Sequence, residues 1–522
     1  MLHSYRQLSG SFEYCFNIEA SVPLTGEDLT TLRWLLAETF EPGKFGGSPF
    51  LTDGEAIELG PRLNFATAWS TNAVAICHAL GLEKITRIER SRRYVVPAGE
   101  DEGDFIASHH DRMTECHYPA PLETFSTGVI PEPVFEIPIL QQGIEALRRI
   151  NKDFGLGMDE WDIQFYFKFF TEQEKRNPTI AEIVDLGNAN SEHSRHGYFK
   201  GRQIIDGVEM PETLLEIVKL TLAANPGNSL IAFRDNSSGI RGFDIWTIIP
   251  AEPGRVSSFV KKRVRYHIIF TAETHNFPTG IAPFPGAETG TGGRIRDVQA
   301  TGQGGLVVAG TAGYCVANLL IPGYDLPWED ASFVYPSEVA RALGIEIGAS
   351  NGASDYGNKF GEPLILGFTR SADLRLASGE RWGWIKPIMF TGGIGQIDDR
   401  HITKGEAVPG LLIVQVGGPA YRIGFGGGAA SSQMQGDNTV ELDFNAVQRG
   451  DGEMENKMNR VIRACIEMGE KNPIVIIHDQ GAGGPANILK ELMEKAGGRI
   501  DIRKIKVGDQ TLSVLVIWVA EF

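Results

Sequence analysis

Acidic residues and a histidine follow one predicted strand of this sequence. The apolar segment YHIIFTAET reads as a buried strand, and Glu273, His275 and Asn276 lie at its exit. A carboxylate at this place can hold a metal ion, and a histidine can move a proton near neutral pH. The segment therefore predicts a catalytic or metal-binding strand end.

A glycine-rich run, GAETGTGG (286–293), comes shortly after this strand. Glycines let backbone N–H groups converge on a phosphate without side-chain obstruction, so we predict a phosphate-binding loop. Arg294 and Arg296 add guanidinium donors, and Asp297 adds a carboxylate able to hold Mg²⁺. The run is neither a Walker A loop nor a G-x-G-x-x-G turn. A flexible glycine loop without a ligand is the alternative, but acids at both ends and a histidine between them favour a site.

A second cluster, SEHSRH (Ser191–His196), follows a predicted helix. His193 could move protons or bind a phosphate there. Zinc binding is disfavoured because no third ligand is evident. A charged surface turn is the other alternative.

A third cluster, IIHDQGAGG, carries His478 and Asp479 from an apolar strand into glycines. A carboxylate before a glycine turn is a common place for a metal-linked phosphate site, although a simple strand-to-helix turn explains the pattern nearly as well. Two further glycine clusters cover residues 417–432 and 350–363 (SNGASDYGNKFGEP). Together with 62 glycines in all, they suggest an extended polyanion site.

Alternating helix and strand patterns must position these clusters. We predict a capping pair at Thr25 and Asp28, a proline-rich loop from 118 to 138, and a helical stretch over 153–189 with Asn177 as an N-cap. The predicted strands are Phe12–Ile18, Ile85–Val96, GGLVVAGTAG, GLLIVQVGG, IVIIHDQ and the last apolar run LSVLVIWVAEF; further helices are predicted at Phe65–Leu80, Glu453–Met468 and Ile488–Lys495.

Composition narrows the class of protein. The chain has 522 residues, with 49 Lys and Arg against 66 Asp and Glu, and a formal net charge of −17. Such an acidic surface argues against nucleic acid or membrane as the main partner. The five cysteines show no C-x-x-C pair, and no apolar run is long enough to span a membrane. We therefore expect a soluble, reduced, cytoplasmic protein.

These motifs, in this order, closely resemble the large form of the phosphoribosylformylglycinamidine synthase family, and HDRMTE (110–115) adds to the resemblance. The resemblance implies an α/β (α+β) fold with four parts. Residues 1–150 would form an α/β domain like a fused small-subunit dimer, and 151–204 a helical linker. Residues 205–404 and 405–522 would form N-type and C-type domains like those of aminoimidazole ribonucleotide synthetase.

The implied reaction is the fourth step of de novo purine synthesis. A ligase of this family amidates formylglycinamide ribonucleotide with ATP, Mg²⁺ and glutamine-derived ammonia. The second half of the synthetase core and the glutaminase, which would supply ammonia, are not evident in this sequence. We therefore expect the N-terminal part of a longer enzyme or one half of a split one.

The resemblance also implies roles for individual residues. Proton transfer falls to His193 and His275, and metal binding to Glu273, Asp297 and Asp479. Substrate contacts are Thr274, His275, Asn276, Phe277, Arg296 and Gln448. The ATP segment comprises Gly286, Ala287, Glu288, Thr289, Gly290, Thr291, Gly292, Gly293, Arg294, Ile295, Arg296 and Asp297, with Leu366, Gly367 and Phe368 as further nucleotide contacts.

Two positions depart from relatives, and two other functions stay open. Ser194 stands where some relatives have cysteine, and Thr271 where smaller relatives have lysine, so neither an essential thiol nor a lysine–phosphate contact is expected there. Related cores hold two nucleotide sites, one catalytic and one structural, and the sequence does not assign the 286–297 segment to either. The chain could instead be a nucleotide-binding scaffold without turnover, or a small-molecule kinase of the same superfamily.

Overall fold

The computed structural model describes residues 1–37, 39–51, 56–111, 114–420, 424–431 and 440–521. Arg112 and Met113 of HDRMTE, and residues 421–423 and 432 of one glycine cluster, lie outside these ranges. The chain forms two compact units. The first comprises residues 1–132, 419–421 and 506–512, and the second comprises the remainder. The four-part division stays a prediction.

The first unit is built on an antiparallel sheet of six strands in the order β3-β1-β2-β5-β4-β6. Helices cover one face of this sheet, where Phe16, Ile18 and Ile88 pack against Leu32 and Cys77. Its elements are β1 (Leu2–Gln7), β2 (Phe12–Ala20), α1 (Gly26–Leu36), β3 (Phe45–Gly46), β4 (Ala56–Pro61), α2 (Ala68–Ala79), β5 (Ile85–Val95), α3 (Glu102–His109) and β6 (Glu115–Tyr118).

The second unit contains the remaining elements. Its strands are β7 (Ile204–Ile205), β8 (Val208–Glu209), β9 (Ser229–Ile231), β10 (Ser238–Pro250), β11 (Phe259–Thr274), β12 (Leu306–Val316), β13 (Leu364–Ser371), β14 (Asp373–Arg375), β15 (Arg381–Gly383) and β16 (Ile388–Asp398). Its helices are α4 (Ile139–Gln142), α5 (Ile144–Asp153), α6 (Glu160–Lys168), α7 (Ile180–Ala189), α8 (Glu192–Arg195), α9 (Gly197–Lys200), α10 (Leu214–Ala224), α11 (Asn276–Ile281), α12 (Pro283–Gln299), α13 (Ala342–Phe360), α14 (Gly427–Ser431), α15 (Val440–Ala446), α16 (Gly452–Glu467), α17 (Gly484–Met493) and α18 (Val514–Val519). Short 3₁₀ turns occupy Pro42–Lys44, Asp399–His401, Gly469–Lys471 and Ile502–Lys504.

The main sheet of the second unit has the strand order β13-β12-β16-β11-β10-β9. Helix α12 packs on one face, where Val298 meets Ile269 and Ile397. The opposite face is apolar and exposed. The register places Phe270 beside Ile394 on neighbouring strands. The exposed apolar side chains of this face are Ile240, Ile268, Phe270, Val308, Leu366, Phe368 and Ile394.

The run Gly286–Gly293 is not a loop, so that prediction is wrong. It lies within helix α12, is buried along most of its length, and its N–H groups form the hydrogen bonds of the helix. The glycines serve close packing instead. A Cβ at Gly290 would lie 2.7 Å from Cβ of His275, and one at Gly292 would lie 2.5 Å from the Tyr356 hydroxyl. A residue with a side chain would push these neighbours away.

The sequence context predicts that Arg294 points toward an open phosphate site. In the structure it does not. Its guanidinium is fully buried and forms two hydrogen bonds with the Glu362 carboxylate, which follows α13. Its Nε also donates to the Thr391 hydroxyl at 3.4 Å. The pair therefore joins α12 to β16 and to the end of α13.

The predicted helical stretch over 153–189 is divided, and its N-cap is Thr179 rather than Asn177. Helix α6 leads into a π-helical turn, Phe169–Glu174, and α7 begins after Thr179. Thr179 and Glu182 form a capping box, which satisfies two backbone N–H groups reciprocally. Asn177 instead accepts a hydrogen bond from Leu140 N–H at 3.0 Å.

Three predicted strands near the carboxyl end are wrong. The structure describes residues 410–418 and 474–480 and assigns no strand to either. Within LSVLVIWVAEF, residues Val514–Val519 form helix α18, capped by Ser513, and Leu515 and Val519 pack near Ile183 of α7. A strand needs a neighbouring strand for its backbone hydrogen bonds, whereas a helix satisfies them internally.

Other predicted elements are confirmed. The Thr25–Asp28 capping box, strands β2, β5, β11 and β12, and helices α2 and α16 lie where the patterns placed them. Helix α17 overlaps the predicted Ile488–Lys495 but begins at Gly484 and ends at Met493. All five cysteines are free. Within the described ranges, no helix combines the length and the apolarity needed to cross a membrane.

Replacing Glu362 by Gln should destabilise the second unit, because the buried Arg294 charge would lose its counter-charge. We expect the free energy of unfolding to fall by about 3–5 kcal/mol, the range for removing one partner of a buried ion pair. Chemical denaturation followed by circular dichroism measures this change. Glu209→Ala, in an exposed pair with Arg202, is the control and should leave the unfolding midpoint unchanged. Equal midpoints for the two variants would contradict the prediction.

Candidate active site

SEHSRH forms a single helical turn rather than an irregular loop. Glu192 accepts hydrogen bonds from Tyr198 N–H and from Arg195 Nε, each at 3.1 Å, so these charges hold the turn together. The Ser194 hydroxyl donates to the Asn188 carbonyl at 3.3 Å. The His193 imidazole is accessible to solvent. Desolvation by the surrounding protein and the charge of His196 lower its pKa.

His275 lies at the junction of β11 and α11, and its imidazole is held from two sides. Nδ1 donates to the Gly286 carbonyl at 2.5 Å, which leaves the lone pair of the neutral ring on Nε2. Desolvation lowers the pKa of His275 to about 4; the hydrogen bond to Gly286 opposes this shift, and the charges of His193 and Arg296 add to it. His275 is therefore a neutral imidazole near pH 7, beside His193.

Three predicted metal ligands come together at the end of β11. A hydrogen bond links Glu273 to Asp297 of α12, and the charge of Asp479 acts on both. Desolvation raises the pKa of Asp297 to about 9, and the two neighbouring carboxylates contribute to this shift. Desolvation likewise raises the pKa of Glu273. Repulsion among the three carboxylates therefore opposes their full ionisation, and a bound cation would relieve it.

Asp479 differs from its two neighbours. Its pKa is lowered, because the hydrogen bond from His478 and the charge of Arg296 outweigh desolvation. His478 Nε2 lies 2.7 Å from the Glu491 carboxylate, and bonds to Asp479 and Glu491 raise the pKa of His478 to about 10 despite desolvation. The His478 side chain therefore orients Asp479.

Asn236 and Lys404 belong to the carboxylate cluster, and sequence reasoning missed both. Asn236 Nδ2 donates to Asp297 at 3.1 Å and to Asp479 at 2.8 Å, so one amide bridges helix α12 and the segment that precedes α17. Lys404 Nζ donates to Asn236 Oδ1 at 2.8 Å. Asn236 lies in the segment FRDNSS, and only the fold shows that this segment faces the acids.

Oxygen donors of this kind suit Mg²⁺. Among the residues that the structure describes, however, no three His, Cys, Asp or Glu side chains gather closely enough to enclose a metal ion. Mg²⁺ is commonly bound by one or two carboxylates together with water and substrate phosphates, so an open cluster fits it. The metal role of Glu273, Asp297 and Asp479 stays a prediction.

Gln448 and Glu521 extend the site on the other side of His275. Gln448 is hydrogen-bonded to His275, and its Nε2 donates to Glu521 at 2.5 Å. The buried Glu521 carboxylate also accepts from Gly428 N–H at 3.2 Å and Gly483 N–H at 2.9 Å. Desolvation raises the pKa of Glu521 to about 7. Sequence reasoning missed Glu521, although an acid ending an apolar run was a usable signal.

The remaining predicted contacts divide between the site and the core. Thr274 ends β11, and Asn276 Oδ1 accepts from Met389 N–H at 3.0 Å, which ties α11 to β16. Phe277 is buried against Ala430 and Ala446. Leu366–Phe368 lies on the edge strand β13, with the Phe368 ring 5.8 Å from that of Phe390. Nucleotide binding by Leu366–Phe368 and by the side chains of α12 stays a prediction.

Lowering the pH should destabilise the protein through His275. Its pKa is about 4 in the folded chain against 6.5 ordinarily, so between these values the unfolded chain binds more protons. The contribution of this histidine to stability is complete above pH 6.5 and is lost as the pH falls toward 4. His275→Asn should flatten the slope of unfolding free energy in that window, measured by denaturation at several pH values. A variant with the wild-type slope would show that His275 is not buried as a neutral ring.

Comparison with known proteins gives two domain matches. A family model described as formylglycinamide ribonucleotide amidotransferase N-terminal matches residues 13–124. Another, described as AIR synthase related protein, C-terminal domain, matches residues 408–521. Among solved structures, T. maritima PurL complexed with FGAR shares 21% identity and a TM-score of 0.44, over 69% of this chain and 46% of that one.

Curated relatives match along nearly the whole chain. The probable phosphoribosylformylglycinamidine synthase, chloroplastic/mitochondrial, of Arabidopsis thaliana is 55% identical over 98% of this chain and 37% of its own length. The phosphoribosylformylglycinamidine synthase of Homo sapiens is 50% identical over 100% of this chain and 40% of its own length. The chain thus spans about two fifths of these relatives. With both end domains matched and half or more of its residues identical to such relatives, the chain belongs to the phosphoribosylformylglycinamidine synthase family.

Proposed function

We propose that this chain carries one active site of an ATP-dependent ligase that converts formylglycinamide ribonucleotide to formylglycinamidine ribonucleotide. ATP phosphorylates the amide oxygen, and glutamine-derived ammonia then displaces the phosphate at the same carbon. Family membership supports the role in purine biosynthesis. ATP, Mg²⁺, ammonia transfer and the amidotransferase partner are parts of this proposal.

The observation that carries the proposal is one cluster that combines a neutral histidine, an arginine and three carboxylates. Phosphoryl transfer depends mostly on positioning and on neutralising charge. Arg296 supplies a fixed positive charge beside Asp479 and His275. The mutual repulsion of Glu273, Asp297 and Asp479 supports the binding of a divalent cation, which would relieve it.

Mg²⁺, when bound, would neutralise charge on the phosphates of ATP. Glu273, Asp297 and Asp479 are the residues that would hold it, and Asn236 keeps two of these carboxylates together. Lys404 orients the Asn236 amide and adds positive charge next to the cluster.

The two histidines are suited to proton transfer in different ways. His275 offers a lone pair at Nε2, because Nδ1 is occupied by the Gly286 carbonyl. Gln448 is also hydrogen-bonded to the ring. His193 is accessible to a substrate, and its lowered pKa also favours the neutral form that accepts a proton.

The exposed apolar face of the main sheet is suited to contact with a partner protein. Contiguous exposed apolar surface commonly marks an interaction site. We assign this face to the second half of the synthetase core, since the chain spans only about two fifths of its relatives. The glutaminase that supplies ammonia would lie in the same missing part or in another subunit. The cytoplasmic location stays a prediction, because one relative is named chloroplastic/mitochondrial.

In a protein that includes this chain and the rest of the synthetase core, His193→Ala should lower ammonia-dependent turnover by about a hundredfold or more, the range for losing a proton-transfer group. Coupled detection of ADP, with and without the ribonucleotide, measures this turnover. His117→Ala, on β6 of the first unit, is the control and should retain turnover. Unchanged turnover in His193→Ala would remove this histidine from the mechanism.

A nucleotide-binding scaffold without turnover is the second candidate function. Measurements on this chain alone and together with the second half of the synthetase core distinguish it from the ligase. Calorimetry with ADP and Mg²⁺ would then show binding, while no condition would give ADP formation from ATP even with the second half present. A kinase of the same superfamily would instead transfer phosphate without ammonia. We expect ADP formation that depends on the ribonucleotide and amidine formation that depends on ammonia.

A further inference from the structure

The glycine cluster SNGASDYGNKFGEP (350–363) has no part in the function described so far, although it lies against the site. Most of it belongs to helix α13, which packs beside α12. Glu362 pairs with Arg294, as described above. Tyr356, in the middle of the motif, is 1% exposed and points toward the other arginine of α12.

Tyr356, Glu455 and Arg296 form a chain of contacts across three helices. The Tyr356 hydroxyl of α13 donates to Glu455 Oε2 of α16. The same oxygen lies 3.6 Å from Arg296 Nη1 of α12. Glu455 is 5% exposed, so its charge acts on Arg296 with little screening by water. Glu455 thereby fixes one edge of the guanidinium.

Two glycines make room for this arrangement. A Cβ at Gly292 would lie 2.5 Å from the Tyr356 hydroxyl, and one at Gly450 would lie 2.8 Å from the ring of Tyr356. The tyrosine therefore fills a niche between α12 and the segment that precedes α16. Its hydroxyl therefore has little freedom to leave Glu455.

Arg296 keeps hydrogen-bonding capacity that the protein does not use. Its Nε is buried and has no hydrogen-bond partner among the described residues. An arginine held at Nη1 with a free Nε suits an oxyanion, because the planar guanidinium can donate from two adjacent nitrogens. A guanidinium that is already positioned loses less conformational freedom when it binds.

We propose that Tyr356 and Glu455 are positioning residues, which hold Arg296 in place for an anionic group of the ribonucleotide. Glu455 acts by charge, and Tyr356 acts by orienting the Glu455 carboxylate. This inference rests on the proposed function, since the ribonucleotide is the ligand assigned to Arg296. It adds a role for two residues that do not touch the ligand themselves.

Calorimetric titration of the full synthetase with formylglycinamide ribonucleotide tests the proposal. Glu455→Gln should weaken ribonucleotide binding about tenfold, the effect of losing one contact to a charged group. Tyr356→Phe should weaken it about threefold, since it removes only the hydroxyl that orients Glu455. The affinity for ATP should stay within about twofold of wild type in both variants. Tyr314→Phe is the matched control: this buried tyrosine donates to the Ala349 carbonyl of the same helix α13, so its loss should leave ribonucleotide affinity unchanged.

A double-mutant cycle separates positioning from a general structural effect. If Glu455 acts through Arg296, Arg296→Ala and the double variant Arg296→Ala/Glu455→Gln should bind the ribonucleotide equally weakly. Additive losses, or wild-type affinity in both Glu455→Gln and Tyr356→Phe, would overturn the inference and leave the proposed function standing. Should Glu455→Gln fail to fold, Tyr356→Phe and its control decide the matter. A wild-type protein that does not bind the ribonucleotide would overturn the proposed function and this inference together.

Discussion

Close packing of helix α12 is the constraint on which the rest of the second unit depends. This helix carries Arg294, Arg296 and Asp297, and it must lie against both β11 and α13 for these side chains to reach their partners. Glycine lowers helix stability by about 1 kcal/mol per residue relative to alanine. The segment nevertheless forms a helix because tertiary contacts on its buried faces outweigh that cost. Without side chains at Gly290 and Gly292, the helix approaches His275 and Tyr356 directly.

The packing of α12 also concentrates charge. Desolvation next to α12 raises the pKa of Asp297 and lowers the pKa of His275. Both shifts have the same cause, because burial disfavours the charged form of an acid and of a base alike. A site of this kind holds a neutral base next to carboxylates that attract a cation. Arg294 and Arg296, two residues apart on the helix, differ in their partners: the first is paired with Glu362 inside the protein, and the second has a buried Nε without a hydrogen-bond partner among the described residues.

The second unit also exposes apolar surface within the described residues. The apolar sheet face is exposed, and segments 410–418 and 474–480 have strand-like sequences but no strand partner within the described chain. The chain spans about two fifths of the length of the curated relatives. The site itself is nevertheless gathered inside one unit, because His193, His275, Asp297, Gln448 and Asp479 all belong to it.

The sequence by itself determined the family, the locally specified elements and the residue types of the site. The Thr25–Asp28 capping box and strand β11 were predictable because their signals lie within a few neighbouring residues. Tertiary structure decided what the glycines of 286–293 do, since a helix that tolerates glycine and a loop that needs it have the same local pattern. It also decided that Asn236, Glu455 and Glu521 join the site, because they come from distant segments and are recognisable only by what they contact. Local propensity is written in the chain, whereas close approach, burial and desolvation exist only once distant segments have packed together.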